Sequence, residues 1–166
     1  MNLKWFSGAQ PIDLSHDEKL QIINLFQEQT GEVYTIHSLN CLQIPSWEGN
    51  VLLKDELSNS IEGVFWSHPI GQNTVRIAAF VLSERVQNQG IGTSIWEFCC
   101  SQFNQQGYEH LVLEVRGDNL RAISFYERKG LTINETLIGY YSSGPGYSMK
   151  GSLSKVQTDS KIEPRL

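Results

Sequence analysis

The chain has 166 residues, 40% hydrophobic and 19% charged, a composition that fits one ordinary globular domain with a proper core. Its formal charge of −5 argues against nucleic acid as a partner, because neutralising phosphates takes an excess of Lys and Arg. Cys41, Cys99 and Cys100 form no Cys-x-x-Cys pair and the four histidines have no ligand spacing, so neither a disulfide framework nor a structural metal site is expected.

The start, "MNLKWFSGAQPIDLS", has no apolar core of the kind a signal peptide carries, and no apolar run is long enough to span a membrane. A cytoplasmic protein is the expectation. "DLSHDEKLQIINLFQEQTGE" reads as a helix: Ser15 can cap it, Asp17 and Glu18 suit its first turn, Leu20, Ile23, Leu25 and Phe26 form its stripe, and Gly31 can end it. "VYTIHSL" reads as a weak strand and "IPSWEGN" as a loop. "NVLLKDEL", "IEGVFWSH" and "TVRIAAFVL" then read as an antiparallel meander separated by "SNS" and "PIGQN". The third run is the most continuously apolar, as for a strand buried on both faces. Lys54 and Arg76 read as solvated strand faces, and Trp47 and Trp66 as core or rim.

After Val86 the period becomes helical. Ile91, Ile95, Phe98, Cys99, Gln102 and Phe103 recur at helix spacing until Gly107, with Cys99 facing the core and Cys100 as filler. "HLVLEVR" is a short buried strand. "DNLRAISFYERKG" is a helix opened by Asp118 or Asn119 and closed by Gly130. "LTINETLIGYY" and "GYSMKGSL" are two closing strands around a turn at Ser142–Gly146. Residues 1–153 read as one domain, and 154–166 as a polar, flexible tail. A meander feeding a strand–helix–strand crossover gives a mixed sheet with helices on its faces.

The stretch "VQNQGIGTSIW" joins the third meander strand to the second long helix. Free N–H groups and the positive dipole end at a helix start form an anion site, and glycine lets a phosphate approach the backbone. The same glycines also suit a tight strand-to-helix turn that binds nothing. A Walker loop would need a Lys that is absent. A dinucleotide fingerprint would need a third glycine where Ile95 stands, in a βαβ context.

Gln-x-x-Gly-x-Gly after a long strand, followed by "LVLEVRGDN", "NLRAISFYERKGL" and "GYYSSGPGYSMKGSL", resembles the GNAT superfamily of acetyl-coenzyme A-dependent N-acetyltransferases. The resemblance runs from Thr74 to Leu153, and more loosely from Ser15. The closing hairpin is similar to that of the bacterial ribosomal-protein N-terminal acetyltransferases. The resemblance implies an α/β GNAT fold: a mixed, mostly antiparallel sheet of six to seven strands with helices on both faces. It implies that the backbone of Gln87, Asn88, Gln89, Gly90, Ile91, Gly92 and Thr93 holds the coenzyme A pyrophosphate. Val81 and Leu82 would hydrogen-bond the pantetheine arm through their main chain, one N–H polarising the thioester carbonyl. Asn119 would contact the pantetheine, and Tyr126 would sit near the sulfur. Glu114 and Tyr126 would be the general base and acid, as at the same separation in the ribosomal-protein enzymes, and Tyr140 and Tyr141 would line the acceptor site.

The residues read in the same direction without the resemblance. Glu114 lies among Val112, Leu113 and Val115, and burial makes such a carboxylate a better proton acceptor; its structural alternative is a pair with Arg116 or Arg121. A phenol, protonated at neutral pH, can hand a proton to a leaving thiolate; the structural alternative for Tyr126 is helix core. His68 and His110 are weaker bases. No Ser–His or Cys–His pair is evident, which favours direct attack in a ternary complex. Two departures from the pattern are Gln87 in place of the commoner Arg, and Gly146-Tyr147-Ser148-Met149 in the hairpin, where the ribosomal-protein enzymes have an acidic residue before Ala. The expected activity is acetyl transfer to a primary amine, either a protein or peptide N-terminus or a small molecule, by a monomer or homodimer without metal, nucleic acid or membrane. The alternative is a silent acyl-coenzyme A-binding regulator.

Overall fold

The computed structural model describes residues 1–153; the proposed tail lies outside the described residues. A seven-stranded sheet runs through them in the order β1-β2-β3-β4-β5-β7-β6. The strands are β1 (Leu3–Ser7), β2 (Val51–Asp55), β3 (Ser60–Ile70), β4 (Thr74–Leu82), β5 (His110–Arg116), β6 (Thr132–Tyr141) and β7 (Gly144–Ser152). Only β4 and β5 pair in parallel. The helices are α1 (His16–Thr30), α2 (Ile36–Asn40), α3 (Ile91–Gln105) and α4 (Leu120–Arg128). The mixed, mostly antiparallel sheet of the sequence reading is present at its upper strand count.

Alternation along the strands divides the core in two. Val75 and Ile77 of β4, with Leu111, Leu113 and Val115 of β5, pack with α3 and α4 residues such as Trp96, Phe103, Ile123 and Tyr126. Leu52, Val64, Trp66 and Val81 pack on the other side with Ile22, Leu25 and Phe26 of α1 and Leu39 of α2. Trp96 is fully buried and meets the rings of Phe65, Phe80, Phe125 and Tyr126. Truncating a tryptophan so enclosed typically costs about 3–5 kcal/mol.

Helix α1 starts where Ser15 accepts the amide of Glu18 at 3.1 Å and stops at Gly31, whose φ is +74°. Its buried stripe is Ile22, Leu25 and Phe26, while Leu20 points outward. "VYTIHSL" is no strand: Val33–Thr35 are irregular and its second half opens α2. A capping box between Thr35 and Ser38 (2.8 and 3.0 Å) overrides the β-branched composition. Strand β1 was absent from the sequence reading: it is a short edge strand whose exposure gives little alternation. Strand β3 is more enclosed than β4, contrary to the expectation from apolar content: Phe65 joins the core on one face and Val64 and Trp66 the core on the other, while the middle of β4 is half-exposed. Strand β3 also extends through Pro69 to Ile70, so His68 lies on a strand and the turn begins at Gly71. Trp66 is core, Trp47 stacks on Phe103, and Cys100 is as buried as Cys99. Among the described residues no helix is long and apolar enough to cross a membrane.

Candidate active site

The end of β4 is anchored by a buried carboxylate. The carbonyl of Glu62 accepts the amide of Ser83 at 2.8 Å, and its side chain accepts the Ser83 hydroxyl and Arg85 Nη1, the latter at 2.9 Å. Glu62 is only 3% exposed, so this ion pair fixes the root of the following loop. A short 3-10 turn, Glu84–Val86, leads into the glycine stretch. There Asn88 (φ +60°) and Gly90 (φ +78°) adopt left-handed conformations that turn the chain into α3. Among the described residues the amides of Asn88, Gln89, Gly90, Ile91, Gly92 and Thr93 have no hydrogen-bond acceptor; regular pairing resumes with the amide of Ser94 on Gly90 O. Successive free amides at a helix start are a ready seat for an anion.

The two glycines have separate tasks. A β-carbon on Gly90 would meet nothing within 4 Å, so its side faces open space. A β-carbon on Gly92 would lie 3.3 Å from Leu82 and 3.8 Å from Phe80. Gly92 therefore lets α3 pack closely on β4, and only Gly90 matches the expectation of room for a phosphate.

Beside this loop the sheet parts. Strands β4 and β5 pair from Thr74 with His110 to Ile77 with Leu113 and then separate, β4 staying with β3 and β5 with β7. Leu82 thus turns its main chain to a side with no neighbour, where its N–H can meet an extended ligand arm while its carbonyl accepts Gln87 Nε2 at 2.7 Å. Val81, expected to share this task, lies opposite Val64 two residues from the bonded Ser83–Glu62 pair, so its main-chain groups face β3. Across the gap, Asn119 caps α4 by accepting the amide of Ala122 at 3.2 Å, which leaves its amide nitrogen uncommitted among the described residues. Tyr126 packs between Trp96 and Phe125 with centroids 5.6 Å away in both cases. Burial pushes its phenol well above the usual tyrosine range, and its hydroxyl has no hydrogen-bond partner among the described residues.

The opposite face carries the charges. Glu114 alternates with Leu113 and Val115 and so points away from the core that holds Tyr126. Its two oxygens accept from Arg76 Nε at 3.2 and 3.0 Å. Neither Arg116 nor Arg121 is its partner: Arg116 pairs with Asp118 at 2.9 Å, and Arg121 reaches the glycine loop. Arg76, expected to be a solvated strand residue, has a side chain only 28% exposed. Its Nη1 lies 3.3 Å from His68 Nε2. A guanidinium only donates, so His68 Nε2 accepts, and the ring proton belongs on Nδ1, 3.3 Å from Pro69 O. Lys54 likewise is paired, with Glu18 at 3.1 Å. His110 opens β5 at the surface.

Around this pair lie residues outside the expected set. Tyr34 donates to Glu32 at 3.5 Å, in the segment between α1 and α2. Burial first, then the Glu32 charge, pushes the Tyr34 phenol up to about 12. Burial also raises Glu32, against the pull of Tyr34 and Arg116. Tyr141 is raised by burial, with Tyr140, Glu32 and Glu114 adding to the shift and Arg76 opposing it. Tyr140 and Tyr141 meet edge to face at 4.8 Å. The Tyr141 ring lies over Gly146, where a β-carbon would come within 2.3 Å of it. The structure thus gathers Glu114, Arg76, Glu32, Tyr34 and Tyr141 into one electrostatic neighbourhood, with Tyr126 on the other side of the sheet. Among the described residues no group of three or more His, Cys, Asp or Glu is placed to hold a metal ion.

The site is thus a parted β4–β5 pair beside a glycine loop of free amides. Residues 19–131 match the model of the acetyltransferase (GNAT) family. The chain belongs to the GNAT acetyltransferase family. It is 27% identical over 138 residues to N-alpha-acetyltransferase 30 of Schizosaccharomyces pombe, covering 80% of this chain and 90% of that protein. Its fold is similar to that of Ard1 from Thermoplasma volcanium (TM-score 0.76, 24% identity, 92% of this chain and 98% of that one). It is also similar to the ribosomal-protein-S18-alanine N-acetyltransferase of Escherichia coli (TM-score 0.71, 18% identity, 91% and 94%). The chain is an acetyl-coenzyme A-dependent enzyme that moves an acetyl group to an amine.

Proposed function

We propose that this enzyme acetylates the α-amine of a peptide or protein N-terminus by direct attack within a ternary complex. The observation that carries the reading is the parting of β4 and β5 after Ile77 and Leu113, with free amides at one end and the Glu114 cluster across the sheet. A gap there lets a thioester held on one face present its carbonyl to an amine held on the other. The names of the relatives, an N-alpha-acetyltransferase and a ribosomal-protein alanine N-acetyltransferase, support an N-terminal acceptor.

In this reading the amides of Asn88–Thr93 bind the coenzyme pyrophosphate, with Gly90 leaving the approach open. Gln87, expected to join them, spends its own amide on Glu84 O at 3.3 Å, which closes the 3-10 turn. The Leu82 N–H holds the pantetheine arm and orients the thioester carbonyl; one such backbone donor is worth about 3 kcal/mol in the transition state. The Asn119 amide steadies the arm. Glu114 takes the proton from the incoming ammonium, kept in place by Arg76. Tyr126, whose burial keeps it protonated at neutral pH, gives its proton to the departing sulfur, and the second proton that the nitrogen sheds on becoming an amide restores the phenol. Tyr140 and Tyr141 flank the entering chain. Holding amine and thioester together supplies much of the remaining acceleration.

The test is a coenzyme A-release assay against peptides with free N-termini, the same peptides N-blocked, polyamines, aminoglycosides and free amino acids. Release with free but not blocked peptides is the expected result. Preference for a small amine would overturn the acceptor assignment, and binding of acetyl-coenzyme A without release by any acceptor would favour the silent regulator.

A further inference from the structure

The stretch from Val86 to Ser94 contains no Lys or Arg, in a chain of formal charge −5. Backbone amides and a helix dipole offer a phosphate only partial charges. Two cations nevertheless reach this loop from elsewhere: Lys129 Nζ donates to Thr93 Oγ1 at 3.4 Å, past the start of the free amides, and Arg121 is bound more closely where they begin. Arg121, in the first turn of α4, directs both terminal nitrogens back to it: Nη1 donates to Gln87 Oε1 at 2.5 Å and Nη2 to Asn88 Oδ1 at 2.8 Å. Both acceptors are neutral amides, so neither cancels the charge. Arg76, Arg85 and Arg116 each pair with a carboxylate, whereas Arg121 has no acidic partner among the described residues. Two of its five N–H donors are engaged with the loop, and the side chain stands exposed.

The same contacts tie the cation to the strand end. Gln87 Nε2 donates to Leu82 O at 2.7 Å and to Gln29 Oε1 at 2.9 Å, so its oxygen is turned toward Arg121. Asn88, held at φ +60°, presents its oxygen to the other arm of the guanidinium. Arg121 is thus fixed beside the free amides by the residues that begin them.

We infer that Arg121 supplies the cation of the coenzyme A diphosphate site, standing in from α4 for the charge that the loop lacks. The inference rests on the coenzyme reading of the loop given above. The test is calorimetric titration of the full chain with acetyl-coenzyme A at low and high salt, for wild type, Arg121→Gln, and Arg121→Gln combined with Gln87→Arg. Thermal unfolding of each protein checks that it is folded. Arg121→Gln is expected to weaken binding about 10-fold or more and to flatten its salt dependence, since a charged hydrogen-bonding group is lost. Returning a charge within the loop through Gln87→Arg is expected to restore much of both. Arg121→Gln binding as tightly as wild type overturns the inference. So does tighter binding, which would make the contact a latch that the coenzyme must open. A double variant as weak as Arg121→Gln also overturns it, by reducing Arg121 to a clamp on loop shape. Failure of wild type to bind acetyl-coenzyme A would instead remove the coenzyme reading itself.

Discussion

The glycine loop and the Glu114 face are built on opposite principles. The loop offers backbone amides, an uncharged sequence and one open glycine. The Glu114 face is made of side chains drawn from separate elements: Arg76 of β4, Glu114 of β5, Tyr141 of β6 and Glu32 before α2. A backbone site is sensitive to anything that blocks approach and tolerant of most side-chain changes. A side-chain site is sensitive to each partner. The contrast also fits the chemistry, because coenzyme A is one fixed ligand whereas acceptor selection depends on side chains.

The predictions follow that contrast, from the most damaging change to the mildest. Gly90→Glu should abolish acetyl-coenzyme A binding by calorimetry while the protein stays folded. The new side chain has space in the fold, and the left-handed backbone costs only about 1–2 kcal/mol. Retained affinity would dissolve the backbone half of the comparison. Tyr126→Phe should lower turnover by about 10²–10⁴-fold with little change in coenzyme affinity. Wild-type turnover at neutral pH would return Tyr126 to the aromatic core in which it packs.

Glu114→Gln should cost about 10²-fold in kcat/KM and flatten the acidic limb of the pH–rate profile. An unmoved profile would pass the base role to water or to His68. Gly146→Ala should destabilise by about 1–3 kcal/mol and raise the KM for the acceptor more than that for the coenzyme, because the new methyl displaces the Tyr141 ring. Equal effects on both KM values would show that the two regions are not separate.

The mildest change is Glu32→Gln. Burial raises this carboxyl in the folded chain, so the fold holds its proton more tightly than the unfolded chain does, and ionisation opposes folding. That cost is absent below the ordinary carboxylate range and complete once the pH exceeds the raised value. The variant should therefore melt above wild type at pH 8 and converge with it near pH 4. A constant difference across that range would assign the effect to packing.

The loop was legible in the sequence because its information is local. Glycine spacing, a strand before and a helical period after it suffice to place free amides at a helix start. The meander, α1 and α4 were legible for the same reason, each carrying its own cap and period. What escaped depends on register. Arg76 sits opposite Val112, and only that pairing puts Glu114, two residues on, on the same face within reach. Read along the chain, Arg76 is a charge in a strand and resembles solvent-facing positions. "VYTIHSL" failed differently: two hydroxyl contacts at Thr35 and Ser38 outweighed a β-branched composition that favours a strand. The division of labour between Gly90 and Gly92 needed the third dimension, since only packing of α3 on Leu82 distinguishes them.

The central claim is that the free amides from Asn88 to Thr93 receive the coenzyme. Amide hydrogen exchange of those six residues, with and without saturating acetyl-coenzyme A, tests it most directly. The account predicts that exchange slows at these amides and at the parted end of β4, while the Tyr140–Tyr141 hairpin changes only when an acceptor peptide is added. Unchanged exchange from Asn88 to Thr93 in a protein that binds acetyl-coenzyme A would place the ligand elsewhere and contradict the account.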